Sequence, residues 1–469
     1  MQENSVRQYL SQVLKNMPSD WLNLTTHRLD IYDERLAKTQ FLEQFEGLFK
    51  TNPATADALN ALPTAYDYIR LGHPLSCVLE WGIARLHKLK PEHVISFSSA
   101  TMPLMAILRT NLLARKNTRI VYSGTLPSSF DETALKEVYG YTFELVQAQS
   151  GQDLSAFDGS TVFITEESTV GQFELNHSID FFIHVHGKLG SVLLINGQHN
   201  EHYTSAIQHV RRRETIAMTP ANCIPALKSL VEQSSINIAQ SDVASNKAAV
   251  IRSIETITRS TTKALVGSSG LSVQYAIMMG LIDDAQKHHP GKAIKFIVPP
   301  NCYGGTNDQA RRVAASVANV EVVDLPVDGD NDMVQSVETV LAKIAMEDAV
   351  PYIIAEIPTN PRVEVPELDK LRDALSKKRK TASGETAIDP VFILDQTFCP
   401  NVHFLGEGDI LSSVKTISYV SGSKFPSGGK CTAGYCVGNN KSAHLMDAIE
   451  KHLMLCDNEA TDLQYEILA

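Results

Sequence analysis

The segment Ser421–Lys430, SGSKFPSGGK, joins two apolar runs, Ile417–Val420 and Ala433–Gly438, each of which predicts a short strand. Serine hydroxyls flank Lys424 in the sequence, and the glycines of the segment let a backbone approach a ligand closely. A lysine amine that loses its water has a lowered pKa and becomes a nucleophile. This combination suits a lysine bonded to an aldehyde beside a bound phosphate, as pyridoxal phosphate requires. The alternative is a loop with a surface lysine.

A carboxylate upstream favours the first interpretation. The apolar run Val391–Leu394 leads directly into Asp395. An aspartate at the carboxyl end of a buried parallel strand lies where α/β proteins bind ligands. There it can pair with the pyridine nitrogen of the cofactor and keep the ring an electron sink. A helix N-cap is the ordinary alternative for such a residue.

Composition excludes several classes of function. The 469 residues are 43% hydrophobic and 20% charged, as in ordinary soluble globular proteins. The net charge of −11 argues against nucleic-acid and membrane partners, and we expect the basic runs Arg211–Arg213 and Lys377–Lys380 to be solvated loop or helix ends. There is no apolar run of membrane-spanning length, and Met1–Ser5 does not resemble a signal peptide. Seven cysteines without CxxC spacing predict free thiols and a cytoplasmic location, and no His/Cys cluster has metal-ligand spacing.

The order of apolar segments predicts an α/β fold. Residues 1–60 predict a helical arm, and from residue 61 onward strands alternate with helices, which indicates βαβ units and a mainly parallel sheet. A polar helix at about 226–260 is expected to lead into a second series of strands. The predicted strands are Val94–Phe97, Ile120–Tyr122, Val162–Ile164, Phe181–His184, Val192–Ile195, Ala264–Val266, Ile294–Val298, Tyr352–Glu356, Val391–Leu394 and Ile417–Val420.

Two parts of the chain show the same order of strands, turns and helices. Ser98–Met102 corresponds to Ser268–Ser272, and His184–Lys188 falls roughly where Val420–Lys424 does. We interpret this as a tandem repeat whose first copy is degenerate, although any two α/β domains share such a rhythm. The predicted domains are an N-terminal helical arm (1–60), a degenerate α/β domain (61–235) and a cofactor-binding catalytic α/β domain (236–469).

Five segments in order resemble the Cys/Met-metabolism (transsulfuration) family of pyridoxal-phosphate enzymes. They are Ser268–Leu271, Tyr303–Thr306, Glu356–Pro361, Asp395–Phe398 and Ser421–Lys424. Each motif alone is weak, whereas the five in this order are specific. The resemblance implies the aspartate-aminotransferase-like fold (fold type I), with a mainly parallel sheet.

The resemblance also implies roles for single residues. Lys424 would hold the cofactor covalently and move protons, Asp395 would pair with the pyridine nitrogen, and Tyr303 would stack on the ring and help to deprotonate the substrate amine. Gly270 and Leu271 would offer backbone N–H groups to the phosphate. Further contacts with the cofactor are implied for Ser269, Asn360, Thr397, Ser421 and Ser423.

The sequence departs from the family at the second phosphate-binding motif. The family holds the phosphate with a Tyr-x-Arg motif from a neighbouring subunit, and here that pattern occurs only at Tyr68–Arg70, in the first copy. The first copy has Pro127 where the stacking tyrosine is expected. We therefore hypothesise an intrachain pseudo-dimer in which Tyr68 and Arg70 complete the second copy's site. The alternatives are a homo-oligomer, or that both side chains merely pack a domain edge.

The expected activity is that of cystathionine γ-synthases, which join an O-acylhomoserine to cysteine by γ-replacement in methionine biosynthesis. Cystathionine and methionine lyases and O-acylhomoserine sulfhydrylases share this chemistry, so transferase and lyase remain alternatives. Gly429–Cys431 departs from the family's His-Ser-Asp. Ala469 ends the chain before the small domain that carries the family's substrate-carboxylate arginine. These departures lead to three alternative expectations. The sequence is a fragment of a longer protein, another residue has taken the role of the arginine, or the protein is a non-catalytic scaffold.

Overall fold

The structure is a computed structural model that describes residues 2–22, 34–63, 65–66, 68–148, 154–238, 242–260, 262–327, 331–359, 362–424, 427–428 and 430–469. The chain divides into two compact units. Unit 1 comprises Met1–Phe130 and Tyr141–Ser241, and unit 2 comprises Asp131–Gly140 and Asp242–Ala469. Among the described residues, no helix has the length and apolar character needed to cross a membrane.

Unit 1 contains a sheet and helices from both ends of its sequence. Its helices are α1 (Gln2–Asn16), α2 (Glu34–Thr51), α3 (Ala56–Asn60), α4 (Pro74–Leu86), α5 (Met102–Ala114), α7 (Tyr203–Arg213) and α8 (Pro220–Glu232). Helix α6 (Glu132–Glu137) lies in the segment that belongs to unit 2. The strands are β1 (Val94–Phe97), β2 (Thr118–Ser123), β3 (Glu144–Gln147), β4 (Ser160–Glu166), β5 (Phe181–Val185) and β6 (Ser191–Ile195).

The sheet of unit 1 has the strand order β1-β6-β5-β4-β2-β3. Strands β5, β4, β2 and β3 are parallel, whereas β6 runs antiparallel to both β5 and β1. Every residue of β5 is buried, as its apolar sequence requires. The parallel strands therefore end at one common edge of the sheet, and ligands of α/β proteins bind at such edges.

The predicted N-terminal arm is part of the core of unit 1. Val6 and Leu10 of α1 are buried in the same apolar cluster as Leu227 of α8. Trp81 of α4 lies in this cluster and packs edge-on against Phe45 of α2, with ring centroids 5.0 Å apart. Apolar residues at helical spacing thus bury one face of each helix in a shared core.

Unit 2 contains a larger sheet. Its helices are α9 (Val243–Thr258), α10 (Gly270–His288), α11 (Gly304–Ser316), α12 (Met333–Met346), α13 (Leu368–Ser376), α14 (Met446–Leu455) and α15 (Asp462–Leu468), besides α6. Its strands are β7 (Leu265–Gly267), β8 (Ile294–Val298), β9 (Val320–Asp324), β10 (Val350–Glu356), β11 (Val391–Asp395), β12 (Thr416–Ser421) and β13 (Gly434–Gly438).

The sheet of unit 2 has the order β7-β13-β12-β11-β10-β8-β9. Strands β12, β11, β10, β8 and β9 are parallel, and β13 runs antiparallel to β12 and β7. In both units the first strand pairs with the last one, and the last one pairs with the strand before it. Unit 2 has one more parallel strand than unit 1.

All the strands predicted from the sequence are confirmed, and the α/β class with largely parallel sheets is confirmed with them. Strands β3 and β9 were not predicted, because their residues are partly exposed and lack a long apolar run. The single helix expected at about 226–260 is wrong: α8 and α9 are separate helices. The prediction of a solvated Arg211 is also wrong, since this side chain is fully buried. All seven cysteines are free, as expected.

Candidate active site

Helix α10 begins directly after the short strand β7. Ser269 is its N-cap, and its Oγ accepts a hydrogen bond from the backbone N–H of Ser272 at 3.1 Å. The first N–H groups of a helix have no partner within the helix, and the helix dipole favours a negative charge at this end. Gly270 and Leu271, the predicted phosphate donors, therefore lie where a helix can bind an anion.

The start of α10 packs directly against the end of β12. A Cβ atom at residue 270 would lie 2.8 Å from the Cβ of Ser421, and a Cβ at residue 434 would lie 2.7 Å from the backbone nitrogen of Gly270. Cβ atoms essentially never approach other heavy atoms so closely, so Gly270 and Gly434 permit a contact that other residues would prevent. The predicted anion site therefore includes Ser421 as well as the helix.

Hydroxyl groups continue from Ser421 along this edge. Its Oγ lies 2.9 Å from the Oγ of Ser423, and its backbone N–H donates to Oγ1 of Thr397 at 3.0 Å. Ser423 is buried and Ser421 is half-buried. Three of the predicted cofactor-binding residues thus form one hydrogen-bonded group that joins the ends of β11 and β12.

Asp395 ends β11 and is buried. It is in register with Glu356 of β10 and Tyr419 of β12, and its Oδ1 accepts a hydrogen bond from the N–H of Thr397 at 2.9 Å. Burial raises the pKa of Asp395, while the N–H and hydroxyl of Thr397 and the hydroxyl of Tyr419 act in the opposite direction. Among the described residues, no lysine, arginine or histidine pairs with this carboxylate. A buried carboxylate without a cation is unfavourable, so this position suits a positively charged ligand atom.

Tyr303 precedes helix α11 and contacts the same edge. Its backbone N–H donates to Oε1 of Glu356 at 2.6 Å. A Cβ at Gly305 would lie 2.5 Å from the Tyr303 ring and 2.9 Å from Leu271, so both side chains lie beside this glycine. Tyr303 is 38% exposed, so a ligand can reach this residue from solvent.

Lys424 follows β12 in the chain and is exposed. The expectation of an amine removed from water is therefore not met. The residue nevertheless comes soon after Ser421, so it belongs to the edge at which Asp395 and the start of α10 lie. An exposed lysine keeps its water, and a ligand can approach it from solvent.

Sequence reasoning missed two buried residues that connect these parts. Oε1 of Gln274 in α10 accepts hydrogen bonds from Thr306 in α11 at 3.0 Å and from the Tyr419 hydroxyl at 2.9 Å. Burial raises the pKa of Tyr419 well above its ordinary value, so it remains a hydrogen-bond donor. A polar residue on the buried face of α10 was the available signal for Gln274, because buried polar groups need partners.

Tyr68 and Arg70 lie in unit 1. The Arg70 guanidinium lies 4.0 Å from the Tyr68 ring centroid, and its Nε donates to the backbone oxygen of Arg212 at 2.9 Å. Arg70 is buried. Such contacts are expected if the two side chains only pack a domain edge. Their role in phosphate binding stays a prediction.

One predicted site residue, Asn360, lies outside the described residues. In the part of the chain that the structure describes, no group of three or more His, Cys, Asp or Glu residues could hold a metal ion. The structure brings nine predicted residues to one edge of the sheet of unit 2. They are Ser269, Gly270, Leu271, Tyr303, Asp395, Thr397, Ser421, Ser423 and Lys424.

Comparisons with known proteins give a structural likeness only. No family model matches the chain, and no curated protein matches it. A cystathionine γ-lyase from Micromonospora echinospora is 18% identical over 48% of this chain and 50% of its own, with a TM-score of 0.35. Cystathionine γ-lyase from yeast is 18% identical over 50% of this chain and 52% of its own, with a TM-score of 0.36. Cystathionine γ-synthase from Xanthomonas oryzae pv. oryzae is 15% identical over 48% of this chain and 49% of its own, with a TM-score of 0.33. The chain thus spans about half the length of these structures.

Proposed function

We propose that unit 2 binds pyridoxal 5′-phosphate and that the protein is a pyridoxal-phosphate enzyme of sulfur amino-acid metabolism, with cystathionine γ-synthase-like activity. One observation carries the proposal. Asp395, a buried carboxylate that pairs with no cation among the described residues, ends β11. The start of helix α10, where we propose an anion site, packs against the end of the adjacent parallel strand β12, and Lys424 follows that strand in the chain. Each of these groups matches a different part of the cofactor: the pyridine nitrogen, the phosphate and the aldehyde.

The residues present fit this group. Asp395 would pair with the protonated ring nitrogen, which supplies the positive charge that its buried carboxylate lacks. The N–H groups of Gly270 and Leu271 and the hydroxyls of Ser269, Ser421 and Ser423 would hold the phosphate. Thr397, which hydrogen-bonds to both Asp395 and Ser421, would fix the distance between the nitrogen and phosphate subsites.

The remaining residues would act on protons. When bound, pyridoxal phosphate supplies an electron sink for charge that develops at the substrate Cα. Lys424 would hold the cofactor and then carry protons at Cα and Cβ, while Tyr303 would stack on the ring and accept a proton from the substrate amine. Asn360 is proposed to lie near the phenolic oxygen. Tyr303 and Lys424 are both exposed residues, as these roles require.

The proposed reaction is γ-replacement on an O-acylhomoserine by cysteine. Proton removal at Cα and then at Cβ, by Lys424, would precede loss of the γ-substituent and addition of the cysteine thiol. Cystathionine or methionine lyases and O-acylhomoserine sulfhydrylases use the same proton transfers, so these activities are the alternatives. A product assay with O-acylhomoserine and cysteine, compared with cystathionine alone, separates replacement from elimination.

The shared strand connectivity of the two sheets supports the proposal that unit 1 is a degenerate copy of unit 2. We propose further that Tyr68 and Arg70 contribute to the phosphate site, within one chain or between subunits of a homo-oligomer. The test is a cofactor titration of Arg70→Ala, with Arg213→Ala as the control for loss of an arginine. An unchanged cofactor affinity in Arg70→Ala would contradict this role.

The principal experiment locates the covalent bond. Purified protein is incubated with pyridoxal phosphate, its absorbance is recorded, and borohydride reduction followed by peptide mass spectrometry identifies the labelled lysine. We expect a yellow protein labelled at Lys424, with the band lost in Lys424→Ala and retained in Lys430→Ala, a control at a neighbouring exposed lysine. A protein that stays colourless, or that is labelled elsewhere, would favour a non-catalytic scaffold.

A further inference from the structure

Unit 1 has cavities of its own at the carboxyl ends of its parallel strands. Two of them, of about 600 and 640 Å³, share Ser123 and Glu167 among their lining residues. Ser123 ends β2, Glu167 follows β4, and His186 follows β5. Because these strands are parallel, the cavities lie at the edge where α/β sheets bind ligands.

Two buried histidines line these cavities and have unpartnered ring nitrogens. His184 lines the larger cavity and His186 the smaller one, and each is 3% exposed. Within the described residues, Nδ1 of His184 and Nε2 of His186 have no hydrogen-bond partner. Buried polar atoms are rarely left without partners in folded proteins, so these atoms indicate a missing ligand or water.

The state of His186 follows from its one hydrogen bond. Its Nδ1 lies 2.9 Å from the backbone oxygen of Glu167. A carbonyl oxygen only accepts, so Nδ1 carries the hydrogen and the unpartnered Nε2 is an acceptor. Burial lowers the pKa of His186 to about 4, so the ring is neutral near neutral pH. His186 is therefore a neutral ring that holds the backbone of Glu167 at the cavity.

The other lining groups define the rest of the ligand. The Glu167 carboxylate accepts a hydrogen bond from Thr165 at 3.2 Å and attracts a cation. Lys188 lines the same cavity as His186 and is exposed, so it can attract an anion from solvent. The larger cavity has an apolar wall where the Phe173 ring stacks on His184 with centroids 3.8 Å apart.

We propose that this cleft of unit 1 binds a zwitterionic α-amino acid with an apolar side chain. The ammonium group pairs with Glu167 beside His186, the carboxylate contacts Lys188, and the side chain packs against Phe173. This site is formed by residues of unit 1 alone, and it does not depend on cofactor binding in unit 2. The function of such a site is the reversible binding of an amino acid, separate from any substrate that unit 2 takes.

The test is calorimetric titration of the whole chain, without added cofactor, with L-leucine, L-phenylalanine and L-methionine as probes. We expect saturable binding of at least one of them. Isocaproate, which is leucine without the amine, should not bind, and isoamylamine, which lacks the carboxylate, should bind more weakly. Failure of all three amino acids to saturate the protein, or equal binding of isocaproate and L-leucine, would overturn the proposal.

Substitutions assign the binding to this cleft. Glu167→Gln should weaken binding of the probe by about tenfold or more, because it replaces a charge-assisted hydrogen bond with a neutral one. His186→Phe should do the same, because it keeps a ring in place but removes the hydrogen bond that positions the backbone of Glu167. Thermal unfolding checks that each variant is folded. The matched control is Glu144→Gln, at an exposed position of β3. Lys424→Ala should leave the affinity unchanged. Loss of binding in that variant, or full binding in both cleft variants, would instead place the amino acid in unit 2.

Discussion

Arg211 of α7 and Glu80 of α4 form an ion pair in the interior of unit 1, with 2.6 Å between Nη1 and Oε1 and no exposed surface on either side chain. Glu80 also accepts hydrogen bonds from the N–H and hydroxyl of Ser96, and Arg211 donates to the backbone oxygen of that residue. The pair therefore ties two helices to strand β1. Its groups are satisfied only while all three elements are in place.

We expect Glu80→Gln to destabilise unit 1 by about 3–5 kcal/mol, because the amide leaves the buried guanidinium without a counter-charge. The measurement is urea unfolding followed by circular dichroism. Asp324→Asn is the control, since it removes one partner of an exposed ion pair with Arg311 and should change stability by less than about 1 kcal/mol. Equal stability of the two variants would show that the buried pair contributes little.

Gly270→Ala should weaken cofactor binding. The new methyl group would lie 2.8 Å from the Cβ of Ser421, so the start of α10 or the end of β12 must shift, and both carry proposed phosphate contacts. Gly304→Ala is the matched control: Gly304 is also the first residue of a helix, and a Cβ there meets no atom within 4 Å. Titration with pyridoxal phosphate should show roughly tenfold weaker binding for Gly270→Ala only. Similar affinities in both variants would argue against this anion site.

Asp395→Asn should lower the affinity for the cofactor without lowering the stability of the cofactor-free protein. Because burial holds the pKa of Asp395 above its ordinary value, the ionised carboxylate is unfavourable in the folded protein at neutral pH, and the amide removes this penalty. We expect the cofactor-free variant to be at least as stable as the parent protein. Its affinity for pyridoxal phosphate should nevertheless fall about tenfold or more, since the charge that pairs with the ring nitrogen is lost.

Thermal unfolding without cofactor and spectroscopic titration with cofactor measure these two effects separately. Asp373→Asn, at an exposed position of α13, controls for the loss of one carboxylate elsewhere and should change neither quantity. A cofactor affinity equal to that of the parent protein would show that Asp395 does not face the ring nitrogen. A large loss of stability would mean that the carboxylate has a structural role instead.

The elements that carry the candidate site were predictable from the sequence, because their apolar runs are local signals. Val391–Leu394 predicts a buried strand by itself, and its position fixes Asp395 at the carboxyl end. The links between Gln274, Tyr419 and Thr306 were not predictable, since they join three elements that are distant in the sequence. Burial of Arg211 was missed for the same reason: its partner Glu80 is recognisable only in three dimensions. The exposure of Lys424 likewise depends on the path of the loop, which local composition does not determine.

The sequence also could not reveal that the segment Asp131–Gly140 belongs to unit 2, because the residues on both sides of it belong to unit 1. The Tyr139 hydroxyl lies 3.0 Å from Nδ1 of His452 in α14, and Nε2 of that histidine lies 3.1 Å from Oδ2 of Asp283 in α10. A neutral imidazole with its hydrogen on Nε2 satisfies both contacts, donating to the aspartate and accepting from the tyrosine.

This cluster should make unit 2 sensitive to acid. Burial lowers the pKa of His452 below its ordinary value of 6.5, although its hydrogen bond to Asp283 acts in the opposite direction. The unfolded chain therefore takes up the proton first, and the stability contributed by neutral His452 is full above about pH 6.5 and falls as the pH drops below it. Burial would raise the pKa of Asp283, but hydrogen bonds from His452 and Lys287 hold it below the ordinary range. Its contribution therefore decreases only below about pH 4.

We expect the unfolding free energy of the parent protein to fall between about pH 7 and pH 5, and to fall less steeply in His452→Gln, which keeps a donor and an acceptor but does not titrate there. Urea unfolding at a series of pH values gives both slopes. His288→Gln is the matched control, because His288 is exposed, and its slope should equal that of the parent protein. If the parent protein and His452→Gln lose stability in parallel, protonation of His452 is not the cause. The acid sensitivity would then belong to other groups in the chain.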